Sequence, residues 1–203
     1  MFVFSATVVA MPMARNIDQN LIIAMPTARC NDIDLSPEAV EEWIENLDNM
    51  EQTVTKLHFY LHDTISGENP PSVPVAKASS TDSSPYAFGL VQVIDDPLTE
   101  GPDEESPLIG RAQGLFVSSS MKDEPSLLIS MNLYFTEGEF TNSTLNIEGR
   151  SPILRPYREL SVVGGSGLFR FARGLATVQP YSFNMTSRDA ILEYHISVLH
   201  YVF

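Results

Sequence analysis

The sequence predicts an all-β fold, an eight-stranded antiparallel β-barrel with an N-terminal helical or disordered extension. Two observations predict it. From Thr55 onward the hydrophobic pattern has a period of two, and β-branched and aromatic residues dominate. Clusters of turn-forming residues divide this region into eight segments, and a closed barrel is favoured because it removes exposed strand edges. The predicted strands are Lys56–Asp63, Ala87–Ile94, Leu108–Ser118, Ser126–Phe135, Ser143–Glu148, Arg158–Val162, Phe169–Gln179 and Ala190–Val202.

The 203-residue chain is long enough for one domain with appendages. Residues 53–203 are predicted to form the barrel domain, whose interior is filled by side chains or holds one small ligand. Residues 1–30 are predicted to be signal-like or disordered. Within them, Met1–Ala14 is apolar and as long as a signal-peptide core, but no Lys or Arg precedes it. The expectation is a truncated signal peptide or an apolar tail, too short to span a membrane.

Residues 31–52 are predicted to form a short amphipathic helix and a linker. Ser36 is the expected N-cap and Pro37 the first helical residue. The helix carries one apolar stripe, made of Val40, Trp43, Ile44 and Leu47. This stripe could dock on the barrel, recruit a partner or belong to a loosely attached segment.

Composition and charge exclude several classes of function. A formal net charge of −14 argues against binding nucleic acid, which requires clustered Lys and Arg. The single cysteine, Cys30, excludes an intrachain disulfide and a cysteine-based metal cluster. His58 and His62 share a face of one predicted strand, but about 13 Å would separate them, too far for a common metal ion. The sequence therefore predicts no metal and no cofactor.

The glycine-rich run from Val162 to Gly174 predicts a tight corner between two strands. Its glycines allow positive φ angles or close backbone approach. A phosphate-binding loop is the alternative. That alternative is disfavoured because a dinucleotide-binding turn needs a following helix and a P-loop needs Gly-Lys-Ser/Thr.

Two charged residues are candidates for the barrel interior. Asp63 alternates with Phe59 and Leu61, so it shares their apolar face. Burial there would raise the pKa of the Asp63 carboxyl towards values useful for acid–base chemistry. Arg158 shares an apolar face of its own strand and could pair with Asp63 or hold a ligand oxygen. A structural salt bridge, or Asp63 capping the turn that follows it, explains the same pattern without chemistry.

Two further segments lie outside this predicted interior. The acidic stretch from Asp95 to Glu105 is predicted to be a solvated lid or rim, since it lacks the spacing and glycine of a calcium-binding loop. Asn142 and Asn184 begin Asn-Ser-Thr and Asn-Met-Thr, which fit the N-glycosylation pattern and favour secretion.

Four motifs occur in order along the barrel region. They are Phe59-Tyr60-Leu61-His62-Asp63-Thr64-Ile65-Ser66-Gly67, Asp95-Asp96-Pro97-Leu98-Thr99, Ile109-Gly110-Arg111-Ala112-Gln113-Gly114, and Arg158-Glu159 through Val162-Val163-Gly164-Gly165-Ser166-Gly167 to Ala172-Arg173-Gly174. Together they resemble the plant dirigent proteins from about residue 53 to the C-terminus. The local form Gly149-Arg150-Ser151-Pro152 resembles the branch of pterocarpan synthases and atropselective couplers.

The resemblance implies a protein secreted to the apoplast that works as a homo-oligomer, a dimer or trimer, without cofactor or oxidising activity. A separate laccase or peroxidase would make phenoxy radicals from a phenylpropanoid such as coniferyl alcohol. The barrel would hold two radicals so that they couple with one handedness, as in lignan biosynthesis. The alternative is a pterocarpan-synthase-like hydro-lyase that dehydrates an isoflavanol through a quinone methide, which requires an acid. A barrel that only stores a phenolic ligand is a third interpretation.

The resemblance also assigns pocket residues. Asp63 matches the family's pocket aspartate and Arg158 its pocket arginine, so these are the predicted catalytic residues. A second pocket aspartate of pinoresinol-forming members falls on Ser151, which weakens acid catalysis from that side and puts pinoresinol as the product in doubt. The expected substrate-binding positions are Phe59, Leu61, Ser151 and Leu192.

Overall fold

A computed structural model of the protein describes residues 33–202. Within these residues the chain forms one α-helix, α1 Pro37–Glu45, followed by nine strands. The strands are β1 Gln52–Asp63, β2 Ser72–Ala76, β3 Val91–Thr99, β4 Leu108–Ser118, β5 Ser126–Phe135, β6 Thr144–Pro152, β7 Arg158–Ser166, β8 Arg173–Phe183 and β9 Ala190–Tyr201. The predicted signal-like segment, residues 1–30, lies outside the described residues. Among the residues described, no helix combines the length and apolarity needed to cross a bilayer.

Eight of these strands close into an antiparallel barrel. They pair in the order β1-β9-β8-β7-β6-β5-β4-β3. The C-terminal part of β3 closes the ring on β1, with Tyr60 opposite Thr99 and Leu61 opposite Leu98. β2 lies outside the ring and pairs with the N-terminal part of β3. The prediction of a closed eight-stranded antiparallel barrel is confirmed.

The strand boundaries differ from the prediction around β2 and β3. β2 is absent from the predicted strands. It contains Pro74, which is tolerated because an edge strand pairs with a neighbour on one side only. β3 continues to Thr99, so the interpretation of Asp95 and Asp96 as part of a solvated loop is wrong. Both residues pair with β4, and the acidic loop begins only at Glu100.

The glycine-rich run forms a corner between β7 and β8, as predicted. A short 3₁₀ turn, Gly167–Phe169, follows β7, so β8 begins at Arg173 rather than at Phe169. Gly167 has a φ of 63°, which glycine adopts without steric cost. A Cβ at Gly165 would lie 2.8 Å from the Cβ of Phe169. The absent side chain therefore lets Phe169 pack closely over this end of the barrel.

Phe169 closes one end of the lumen with an aromatic cluster. Its side chain is fully buried. The ring centroid lies 5.9 Å from Phe135, 4.8 Å from Phe140 and 5.1 Å from His200. Tilted and edge-on arrangements at these distances are favourable for aromatic rings. Because β7 runs towards this cluster, its first residue, Arg158, lies towards the opposite end.

The helix α1 docks on the corner through its tryptophan. Ser36 is the N-cap, as predicted, and its Oγ accepts a hydrogen bond from the backbone N–H of Ala39 at 3.3 Å. The Trp43 ring lies 5.5 Å from that of Phe171, and the Arg170 guanidinium lies 5.4 Å from the Trp43 centroid. Of the predicted apolar stripe, Trp43 makes this contact with the barrel, whereas Ile44 is 44% exposed.

Candidate active site

β1 places one carboxyl group, Asp63, at the end of an apolar inner face. The preceding inward residues, Phe59 and Leu61, are 1% and 0% exposed. The Oδ1 atom of Asp63 is enclosed by protein and accepts no hydrogen bond from the described residues. Burial raises the pKa of Asp63 to about 6; a hydrogen bond from Ser72 opposes this and the charge of Asp189 adds to it. The Asp63 carboxyl is thus poised to exchange a proton near neutral pH.

β3 places a second carboxyl group, Asp96, in the same lumen. Ile94, Asp96 and Leu98 alternate inward and are fully or almost fully buried, whereas Asp95 is exposed. Both carboxylate oxygens of Asp96 are enclosed, and neither accepts a hydrogen bond within residues 33–202. Burial, together with the nearby charge of Asp63, raises the pKa of Asp96 to about 8. The sequence analysis missed Asp96, although the alternation from Ile94 to Leu98 carries the signal.

β7 places Arg158 in the lumen, where it is 7% exposed. Its Nη2 donates a hydrogen bond to the carbonyl of Ile153 at 3.1 Å. Its Nε is enclosed and has no acceptor among the described residues. Burial lowers the pKa of the guanidinium, but an arginine remains a cation at physiological pH. Arg158 therefore offers an unused donor to a ligand oxygen.

Tyr194, on β9, connects these groups and is a second residue that the sequence analysis missed. Its ring stacks on Phe59 with a centroid distance of 5.4 Å and an interplanar angle of 8°. Burial raises the pKa of the Tyr194 phenol above its ordinary value; Arg158 opposes this, and Asp96 and Asp63 add to it. Tyr194 and the three charged groups all occupy inward-facing positions on their strands.

Two structural explanations for Asp63 are not observed. No ion pair joins Asp63 to Arg158 in the part of the chain that the structure describes. The turn after β1 is capped by Asp189, whose Oδ1 accepts from the backbone N–H groups of Ile65 and Ser66 at 2.9 and 3.1 Å. Hydrogen bonds from the side chains of Ser187 and Ser66, together with those from the backbone of Ile65 and Ser66, lower the pKa of Asp189 to about 2. Neither the turn nor a salt bridge accounts for the position of Asp63.

The other predicted substrate-binding residues lie on the inner surface. Leu192 is 9% exposed and pairs with Leu61 across β9 and β1. β6 continues beyond its predicted end, so Ser151 lies within this strand, opposite Leu127 on β5. Ser151 is 4% exposed. Their roles in binding remain predictions.

The two predicted glycosylation sites lie on the surface. Asn142 and Asn184 are both exposed. The side-chain oxygen of Asn142 accepts a hydrogen bond from the hydroxyl of Tyr134 at 3.2 Å. That of Asn184 accepts from the backbone N–H of Thr186 at 2.9 Å. Attachment of a glycan at either residue remains a prediction.

The lumen combines acid, base and cation. At pH 7 a carboxyl group with a pKa of about 8 is mostly a neutral acid, and one with a pKa of about 6 is mostly a carboxylate. Because Asp63 and Asp96 interact, the pair titrates as a unit and holds about one proton near neutral pH.

An open depression of about 650 Å³ lies on the outer surface between Lys122 and Arg150, and none of the lumen groups lines it. The lumen is therefore the candidate active site.

Comparison with known proteins gives consistent matches. The family model described as Dirigent-like protein matches residues 54–199. Dirigent protein 21 of Arabidopsis thaliana is 47% identical over 147 residues, which cover 72% of this chain and 77% of that protein. Pterocarpan synthase 1 of Glycyrrhiza echinata is 46% identical over 152 residues, covering 74% and 80% respectively. The structure of the pterocarpan synthase dirigent protein GePTS1 matches with a TM-score of 0.71 and 46% identity, covering 75% of this chain and 93% of that one.

Proposed function

The chain belongs to the dirigent family, and from that premise we propose that it catalyses the acid-assisted loss of water from a phenolic substrate held in the barrel lumen. The observation that carries the proposal is the buried pair Asp63 and Asp96, which has no cationic partner among the described ion pairs and shares a proton near pH 7. Steering of radicals requires no proton donor, whereas departure of a hydroxyl group does. The substrate class is an isoflavanol, by analogy with the relatives named pterocarpan synthases.

The reaction balances without an oxidant. The carboxylic acid form of the pair gives its proton to the hydroxyl group on the benzylic carbon, the C–O bond breaks and water leaves. A phenolic hydroxyl conjugated with that carbon gives its proton to the carboxylate pair, which has just lost one, so a quinone methide forms. A second phenolic oxygen of the same molecule then bonds to the benzylic carbon and releases its proton, and the first oxygen regains one. The net change is the loss of one water, with no transfer of electrons.

The other lumen residues hold the substrate for this step. The Nε of Arg158 donates to a phenolic or quinone-methide oxygen, where negative charge develops. The stacked Phe59 and Tyr194 rings form an apolar wall for the flat aromatic rings of the substrate. Fixing the second phenol against one face of the quinone methide sets the handedness of the product.

The test uses the purified protein and a 7,2′-dihydroxyisoflavan-4-ol, which carries both phenolic hydroxyls that the mechanism requires, with no oxidase present. The expected result is loss of substrate and formation of one enantiomer of the cyclised product, resolved on a chiral column. Replacing Asp96 by Asn should lower the rate by about 10²- to 10⁴-fold, the usual contribution of a general acid. Asp63→Asn should have an effect of the same order, and Glu148→Gln, which changes an exposed carboxylate on β6, should have none.

A binding measurement separates chemistry from folding. An isoflavan without the benzylic hydroxyl should bind the wild type and Asp96→Asn with similar affinity, since the lost step needs that hydroxyl. Full activity of both carboxyl variants would refute acid catalysis by this pair.

The second candidate is stereoselective coupling of phenoxy radicals. The lumen holds the buried Arg158, whose Nε has no acceptor among the described residues, and the stacked rings of Phe59 and Tyr194, which together suffice to orient a phenoxy radical without proton transfer. Similarity to Dirigent protein 21 is as high as to the pterocarpan synthases. Incubation with coniferyl alcohol and a laccase, followed by chiral analysis, tests this candidate: an enantiomeric excess supports it, and a racemic product refutes it. In this case Asp96→Asn should leave the excess intact.

Secretion to the apoplast, N-glycosylation at Asn142 and Asn184, and assembly into a homo-oligomer are further proposals that follow from family membership. Expression of the full chain in plant cells should yield protein in the extracellular fluid. Treatment with a glycosidase should lower its apparent mass, and Asn142→Gln should remove part of that change. Light scattering of the secreted protein measures the number of subunits.

A further inference from the structure

The outer face of the β1–β9 pair carries a cluster that the lumen chemistry does not use. His58 and His195 lie directly opposite each other on the two strands, and their rings stack at 4.5 Å. The Oε1 atom of Glu193 accepts hydrogen bonds from the Nε2 atoms of His58 at 2.7 Å and His195 at 3.1 Å. Among the described residues, these three side chains form a group whose ligand atoms all lie within 4.8 Å of one another.

The sequence analysis misses this cluster because it compares histidines along one strand. His58 and His62 lie on the same strand, and that pair is unsuitable, since His62 is buried and its Nε2 is hydrogen-bonded to the Oγ1 of Thr99 at 2.7 Å. The pairing register between β1 and β9 creates the cluster instead. Only the structure supplies that register.

We propose that His58, Glu193 and His195 bind a divalent transition-metal ion of the Zn²⁺ class. Two imidazole nitrogens and one carboxylate oxygen form a donor set that suits zinc, which binds nitrogen and oxygen ligands at about 2.0–2.2 Å. In tetrahedral geometry such ligands are about 3.4 Å apart. The observed spacings of 2.7 and 3.1 Å from Glu193 Oε1 are close to this value. The two imidazole ligand atoms lie within 4.8 Å of each other, so rotation of these exposed side chains would bring them to the metal.

The surroundings fit an open metal site. The side chains of His58 and His195 are 45% and 53% exposed, which leaves room for water to complete the coordination shell. The second carboxylate oxygen of Glu193 accepts a hydrogen bond from Nε2 of Gln179 at 2.6 Å. This contact from β8 orients the carboxylate before the metal arrives, as outer-shell partners of metal ligands do. The metal displaces the protons that now connect both imidazoles to Glu193.

Binding would clip β1 to β9 on the face opposite the stacked pair Phe59 and Tyr194. Residue 59 follows His58 and residue 194 lies between Glu193 and His195, so the clip fixes the backbone that carries the lumen wall. A ligand that binds only the folded chain stabilises it. Zinc should therefore raise the thermal unfolding temperature, and magnesium should not.

The experiment is isothermal titration calorimetry of the untagged full chain with ZnCl₂, with MgCl₂ as a comparison. The expected result is one zinc ion per chain, with at least tenfold weaker binding to His195→Asn and to Glu193→Gln. Glu159→Gln, an exposed carboxylate on the outer face of β7, is the matched control and should bind as the wild type does. Circular dichroism of each variant without metal verifies its fold.

A second measurement on the wild type keeps the test independent of variant folding. In NMR spectra of the histidine rings, zinc should shift the signals of His58 and His195, while those of His62 and His200 stay in place. Equal binding of magnesium would overturn the proposal, because it would reveal general attraction of cations to a chain of net charge −14. Failure to bind zinc at millimolar concentration, or unchanged affinity in both ligand variants, would also overturn it.

Discussion

Replacing Asp96 by Asn should change how the stability of the barrel depends on pH. The wild-type pKa is raised from 3.8 to about 8, so the folded state binds a proton more tightly than the unfolded state. The stability that Asp96 contributes is therefore greatest below pH 3.8 and is lost as pH rises towards 8, by about 1.4 kcal/mol per pH unit. Asn is similar in size to Asp but does not ionise. The variant should thus gain about 3 kcal/mol relative to the wild type between pH 5 and pH 7.

Urea unfolding at pH 5, 6, 7 and 8 measures this gain. The informative quantity is how the difference in free energy of unfolding between variant and wild type changes with pH. The new amide in the lumen also adds an offset to this difference, but the offset does not depend on pH. Glu148→Gln provides the comparison for loss of an exposed carboxylate. A difference between Asp96→Asn and wild type that is the same at pH 5 and pH 7 would refute the raised pKa and, with it, the proton source for dehydration.

Three further substitutions test the fold around the site. Phe169→Ala should reduce the free energy of unfolding by about 3–5 kcal/mol, because it opens a cavity in the closed end of the barrel. Urea unfolding measures this loss, and a loss under about 1 kcal/mol would contradict the packing argument. Trp43→Ala should release α1 but change the free energy of unfolding of the barrel by less than about 1 kcal/mol, since α1 has no buried residue. The expected results are faster proteolysis near residue 45 and an unchanged urea unfolding curve. Gly114→Ala should destabilise by several kcal/mol, because its Cβ would collide with the backbone of Ser130 on β5, and a variant as stable as the wild type would show that the strands can separate there.

The barrel was predictable because its determinants are local. Alternation along β4, β5 and β9 identifies those strands to within one residue, since each has a more buried and a more exposed face. β1 begins at Gln52, before its predicted start at Lys56, and its first residues are exposed. β2 was not predictable in this way. It is short, contains Pro74 and exposes most of its residues, so neither period nor composition separates it from a loop.

The candidate site was predictable in part. Asp63 and Arg158 lie on the faces that alternation assigns to them, so their direction follows from the sequence. Asp96 was assigned to a solvated loop because five other acidic residues lie close to it in the sequence. The alternation of Asp96 with the apolar residues Ile94 and Leu98, which indicates a buried strand position, was given less weight. Tyr194 required the register of β1 against β9, which pairs it with Phe59. Contacts that depend on register between distant strands are not encoded in any local window.

The lumen charges make structural sense only when a ligand is considered. Burying a carboxyl group without a partner costs free energy, and a nearby arginine would normally offset the cost by pairing. Among residues 33–202, no donor meets the two enclosed oxygens of Asp96 and no acceptor meets the enclosed Nε of Arg158, although both side chains face inward. A protein built for stability alone would pair these groups or replace them by apolar residues. A substrate with a hydroxyl group at one end and a phenolic oxygen at the other would supply the missing partners of both groups. Asp96→Leu should therefore give a barrel that is more stable and inactive.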